Sequence, residues 1–139
     1  MQTALTIIGS IILAFVLLGF YSRWKMKKLP VVSDNAKILT LTNQNFSSEI
    51  KNKVVLIDFW AEWCMPCRMM APVLNEVAEA LPTNMKVGKV NIELYKSLAQ
   101  QFNVMSIPTM ILFKNGKEIK RFVGVKTKDF LLTKMNEQK

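Results

Sequence analysis

The chain contains no histidine. That absence removes the commonest general base near neutral pH, every zinc site that includes imidazole, and the Cys-His pair of many thiol nucleophiles. Cysteine is scarce too. The two present, Cys64 and Cys67, cannot make a four-thiolate metal site within one chain. As a structural staple they would close only a tiny loop and constrain the unfolded chain little. No acid precedes Asp34, and from Gln2 to Ser22 there is no charge of either sign. A net charge of +9 usually suggests nucleic acid, but no arginine-rich run and no interleaving of bases with aromatics is present. Arg23, Lys25, Lys27 and Lys28 precede the first acid, and the excess beyond them is scattered as on a solvated surface. No nucleic-acid partner is expected. Internal repeats and low-complexity stretches are also lacking.

What is there begins with an apolar run from Leu5 to Phe20, followed by Tyr21, Trp24 and the four bases. A bilayer crossing needs about 20 apolar residues, so this run reads as one N-terminal transmembrane helix. A cleaved signal would carry its positive charge before the apolar run and small residues after it, and neither is found. The basic flank on the C-terminal side places the following domain in the cytoplasm by the positive-inside rule, with an extracytoplasmic placement as the alternative. The expected organisation is an anchor with basic flank over 1–28, a short linker over 29–35, and a single domain over 36–139, whose length of about 100 residues suits one compact core.

The two cysteines stand three apart in Trp63-Cys64-Met65-Pro66-Cys67, where an apolar strand-like run passes into a helix-like one. Sulfurs at i and i+3 on a first helical turn come within bonding reach, and the positive end of the helix favours a thiolate on the leading one. The pattern points to a dithiol that cycles with a disulfide. The competing reading is two structural thiols that happen to be neighbours.

The run Val54 to Trp60 is continuously apolar except for Asp58, as in a central strand covered on both faces. A short strand is expected over Lys37–Leu41, with Thr42 or Asn43 capping a helix that ends near Ile50. After the cysteines, Met70, Val73, Leu74, Val77, Ala78 and Leu81 keep helical spacing, with Pro72 inside the helix and Pro82 at its end. Further expectations are a strand over Lys86–Ile92, a helix over Tyr95–Phe102 presenting Leu94, Leu98 and Phe102 on one face, and a strand over Thr109–Phe113. Asn115-Gly116 marks a hairpin to a strand over Glu118–Val123. Thr127 caps a last helix with Phe130, Leu131, Lys134 and Met135 inward. The order is β-α-β-α-β-α-β-β-α, an α/β class.

The stretch Asp58-Phe59-Trp60-Ala61-Glu62-Trp63-Cys64-Met65-Pro66-Cys67-Arg68 closely resembles the active-site signature of the thioredoxin family. Pro72, Lys89-Val90-Asn91-Ile92-Glu93, Ile107-Pro108-Thr109, Phe113-Lys114-Asn115-Gly116 and Gly124 match at family-like spacing, over about residues 36 to 139. Met65-Pro66 departs from the Gly-Pro most common in that family. The resemblance implies a thioredoxin fold, a mixed central sheet flanked by helices. It also implies Cys64 as exposed nucleophile, Cys67 as resolving thiol and Pro108 as the cis-proline of the facing loop.

Asp58, a carboxyl buried in an apolar strand, is a candidate acceptor for the Cys67 proton, and Lys89 matches the family's electrostatic partner of that acid. The competing reading is a structural ion pair. Met65 and Pro66 would tune the redox balance, and Trp63, Met65, Ile107, Pro108 and Gly124 would meet substrate.

The implied function is a thiol-disulfide oxidoreductase, a general protein-disulfide reductase. It would need no cofactor beyond the dithiol and would hold no metal. Its partners would be disulfide-bearing proteins and a thioredoxin-reductase-like electron donor, and the chain would be a monomer. Strongly oxidising relatives usually place histidine between the cysteines, and this chain has none. The rivals are an envelope-facing reductase for apocytochrome maturation or disulfide isomerisation and, more remotely, a Cu(I)-binding module built on Cys64, Cys67, Met65, Met69 and Met70.

Overall fold

The structure, a computed structural model, describes residues 2–26 and 32–138. The chain divides into two compact units, residues 1–31 and 32–139. The first holds helix α1 (Gln2–Met26). Among the described residues no helix is long and apolar enough to cross a membrane. This corrects the expected transmembrane anchor. The side chains described on α1 run from Thr6 to Ser22, and that stretch, interrupted by Gly9, Ser10 and Gly19, falls short of the roughly 20 apolar residues a crossing requires. The membrane placement of the domain, cytoplasmic or extracytoplasmic, loses its premise with the anchor. Lys27, Lys28 and the first part of the expected linker, 29–31, lie outside the described residues, as do the side chains of Arg23, Trp24 and Lys25.

The second unit runs β1 (Ile38–Thr40), α2 (Phe46–Glu49), β2 (Val54–Trp60), α3 (Met65–Ala80), β3 (Met85–Asn91), α4 (Lys96–Gln101), β4 (Thr109–Lys114), β5 (Lys117–Val123) and α5 (Lys128–Asn136). The sheet order is β1-β3-β2-β4-β5, with β1, β3 and β2 parallel and β4 and β5 antiparallel additions. β2 is therefore the middle strand, buried along nearly its whole length, which is why its sequence does not alternate.

Side chains of a strand alternate between faces, so β2 feeds two cores. Val54 and Leu56, with Met85, Val87, Met110 and Leu112, meet Met70, Leu74 and Val77 of α3 and Leu131 and Met135 of α5. Val55, Ile57 and Phe59, with Ile111 and Phe113, pack under Phe46 and Leu98. Each fully buried Leu, Ile or Phe contributes about 1.5–3 kcal/mol relative to exposure. Asp58 and Trp60 fall on the first face by the same alternation, and register pairs Asp58 with Lys89 on β3 and with Met110 on β4.

The local punctuation follows its chemistry. Asn115 and Gly116 both take positive φ, 52° and 82°, as a two-residue hairpin turn requires. Thr127 caps α5 by accepting the Phe130 N–H. Pro72 sits inside α3, where it cannot donate to the carbonyl of Arg68. Two expected helix faces differ. Phe130 and Lys134 are not buried, leaving Leu131 and Met135 as the buried side of α5, with Leu132 partly buried against the same core and Phe130 edge-on to Phe122. Leu94 precedes α4 and is exposed.

Candidate redox site

β2 ends at Trp60, and α3 begins at Met65 after four intervening residues. Cys64 is the N-cap of α3, in extended conformation, and its sulfur accepts the Cys67 N–H at 3.2 Å. Two further backbone bonds fix this turn: Cys64 N–H donates to the Ala61 carbonyl (3.2 Å) and Arg68 N–H to the Cys64 carbonyl (3.1 Å). Pro66, in the first turn, has no N–H to leave unsatisfied there. Cys64 and Cys67 form a disulfide, with Cα atoms 5.3 Å apart. The spacing of three residues on a first helical turn is what brings them together.

Both cysteines are only 4 % exposed, packed with Ala61 and against Trp60, Ile92 and Ile107. The exposure expected of Cys64 is therefore not present in the disulfide form. Trp63, by contrast, is 65 % exposed, Met69 is exposed, and Met65 is half-buried between the cysteines.

The loop before β4 faces the pair. The Ile107-Pro108 peptide is cis, Ile107 packs against the cysteine cluster, and Pro108 is buried. Gly124, with φ of 79°, donates its N–H to the Pro108 carbonyl at 2.9 Å, so the two candidate substrate-contact residues are tied to each other. Met105, on the same loop, is almost fully exposed. Sequence reasoning did not single it out, since nothing in its spacing marks an apolar side chain as outward.

Asp58 is 1 % exposed, and its Oδ1 has no hydrogen-bond partner among the described residues. Burial pushes its carboxyl up to about 7, with the Lys89 charge pulling it back down and the Asp34 charge adding to the rise. Lys89 is itself buried, with its ammonium 4.2 Å from the centroid of the Trp60 ring. Its ion pair is with Asp34, at 2.6 Å, and not with the strand partner Asp58. Asp34 was missed from the sequence because 55 residues separate it from Lys89 and no local motif signals it.

Among the described residues no group of three or more His, Cys, Asp or Glu side chains converges as a metal site. The sulfur set considered for copper does not gather either. Met70 is in the core with its sulfur accepting the Lys126 N–H, while Met69 points to the exposed side of the helix.

Comparison with known proteins gives a concordant result. The family model described as Thioredoxin matches residues 37–137. A thioredoxin of Alicyclobacillus acidocaldarius is 50 % identical over 94 residues, covering 67 % of this chain and 90 % of its own. A bifunctional thioredoxin reductase/thioredoxin of Mycobacterium leprae is 43 % identical over 101 residues, covering 71 % of this chain and 22 % of its own. Among solved structures, a mutant thioredoxin from Halobacterium salinarum NRC-1 superposes with a TM-score of 0.65 at 28 % identity, covering 76 % of this chain and 94 % of that one.

Proposed function

This chain belongs to the thioredoxin family and is a thiol-disulfide oxidoreductase; from that premise we propose that it acts as a general protein-disulfide reductase, with Cys64 as nucleophile and Cys67 as resolving thiol. The observation that carries the reading is the placement of the pair. Cys64 caps α3 and Cys67 lies one turn on, so a thiolate on Cys64 meets the free N–H groups and positive end of the helix.

In the reduced state the Cys64 thiolate attacks one sulfur of a target disulfide. That bond breaks, a Cys64–target mixed disulfide forms, and the departing target sulfur takes up a proton. Cys67 then gives its proton to Asp58 and attacks the Cys64 sulfur, which expels the second target thiolate. Asp58 then releases its proton to solvent and the second target thiolate takes one up, so that with two electrons passed to the target Cys64-Cys67 is left as the disulfide. Asp58 suits the acceptor role because burial holds its carboxyl near 7, where it exchanges protons at neutral pH. Lys89 modulates it electrostatically. Trp63, Met65, Ile107, Pro108 and Gly124 supply the surface against which an extended target lies. Met65 and Pro66 set the balance between dithiol and disulfide.

Electrons return from a donor of the thioredoxin-reductase class. The Mycobacterium leprae relative supports that reading, since by its name it unites such a reductase with a thioredoxin in one chain.

The test is covalent trapping. A Cys67→Ser chain, reduced and mixed with an oxidised protein substrate, is expected to accumulate a conjugate that dithiothreitol releases, and Cys64→Ser is expected to give none. Absence of a conjugate with Cys67→Ser would refute the assignment.

A further inference from the structure

Lys89 is a buried cation whose direct partner lies outside the sheet. Asp34, which it binds at 2.6 Å, precedes β1 in a stretch without helix or strand. That stretch is nevertheless held on both sides of Asp34 by one side chain. Asn75 Nδ2 donates to the Ser33 carbonyl at 2.9 Å, and Asn75 Oδ1 accepts the Asn35 N–H at 2.8 Å. Asn35 Nδ2 adds a bond to Glu79 Oε2 at 3.0 Å. Asn75 and Glu79 both belong to α3, the helix whose first turn carries the cysteines.

We propose that Asp34 is a positioning residue for the resolving step: bracketed by Asn75, it engages the Lys89 ammonium, keeps it from neutralising Asp58, and so maintains Asp58 as a proton acceptor. This rests on the reading of Asp58 as the group that receives the Cys67 proton.

The charges acting on Asp58 are few. Lys89 on β3 lowers its proton affinity, and Asp34 raises it. On the same face of the sheet β4 contributes Met110 and Leu112, α3 contributes Met70 and Leu74, and α5 contributes Leu131, none of which titrates. Reduction adds the Cys67 thiol at the start of α3. Removing the Asp34 charge therefore acts twice in one direction. It deletes a negative charge that opposes ionisation of Asp58, and it frees Lys89 to stabilise the carboxylate.

The experiment uses the full chain, isotopically labelled at the aspartate carboxyl carbons, with the Asp58 signal identified by its loss in Asp58→Asn. In Asp34→Asn the Asp58 midpoint is expected to fall by about half a pH unit or more, and the acid limb of the rate of mixed-disulfide resolution to move with it. Asp34→Glu is expected to restore the wild-type midpoint. Asn75→Ala is expected to give a smaller fall of the same sign. In a Lys89→Met background the effect of Asp34→Asn is expected to shrink to less than half.

An Asp58 midpoint unmoved in Asp34→Asn overturns the proposal, and so does an undiminished shift in the Lys89→Met background. An Asn75→Ala chain that titrates as wild type overturns the bracket. A resolving rate that is unchanged across pH in Asp58→Asn would instead refute the acceptor role. The carboxyl titration decides the Asp34 relation separately from that outcome.

Discussion

Asp58 and Lys89 are register partners on neighbouring strands, yet the Lys89 ammonium is paired with Asp34, and among the described residues Asp58 Oδ1 keeps no hydrogen bond. An ionisable group left so in a folded protein makes stability depend on pH, and the sign follows from where its proton is held more tightly.

Asp58 binds its proton more tightly in the folded chain, where its midpoint is about 7, than in the unfolded one, where it is near 3.8. Folded protein therefore holds more protons between those values, and stability falls as pH rises from about 4 to about 7. The loss from this group approaches about 4 kcal/mol above the upper value. Asp58→Asn is expected to flatten that decline and to be more stable than wild type on the alkaline side. Urea unfolding at pH values on either side of the window measures it, and parallel curves for the two chains would contradict the assignment.

A reductase must release electrons readily, so its disulfide has to be the favoured state against a mild thiol buffer. Equilibration of the purified chain with a glutathione buffer poised at about −220 mV is expected to leave Cys64-Cys67 mostly oxidised, as for a protein near the roughly −270 mV of thioredoxin. Acid trapping followed by thiol alkylation reads the ratio. A mostly reduced pair would point to an oxidant instead.

Trp63 presents its ring to solvent beside Cys64, the proposed nucleophile, and is not part of either core. Trp63→Ala is expected to raise KM for a protein disulfide about tenfold with kcat nearly unchanged, as when ground-state and transition-state contact are lost together. Folding stability should change by no more than about 0.5 kcal/mol. A fall in kcat at unchanged KM would place Trp63 in the chemistry and not in docking.

Gly88 on β3 has no room for a side chain, because an added Cβ would stand 2.6 Å from Leu41 Cδ1 and 3.1 Å from its Cγ. Leu41 is fully buried and has little space to yield. Gly88→Ala is expected to cost about 1–3 kcal/mol, and its cost should be smaller when combined with Leu41→Ala, since the clash is then removed. Denaturant midpoints of the single and double variants test this, with disulfide reduction retained in the native baseline.

Much of the domain was legible because its signals are local. A seven-residue apolar strand with one acid, a CxxC at a strand-helix junction, a Pro-Thr before the next strand and an Asn-Gly turn each declare themselves within a few residues. The helix that follows β1 was expected to start at Thr42 or Asn43 but begins after Asn45. There the Asn45 side chain accepts the Thr42 N–H and holds the chain in turns first. What could not be read was relational. The Asp34–Lys89 pair and the Asn75 bracket join segments 55 and about 40 residues apart, and only the folded sheet with α3 upon it brings them together. The N-terminal helix was legible as a helix, but the inference from apolar length to a bilayer crossing is not supported among the described residues.

The sulfur that opens α3 has two duties that compete. At rest it satisfies the amide of Cys67, and in the proposed turnover it is handed to another molecule. On that reading each round loosens and re-forms the leading edge of a helix, and deuterium uptake at that one amide is expected to rise during turnover.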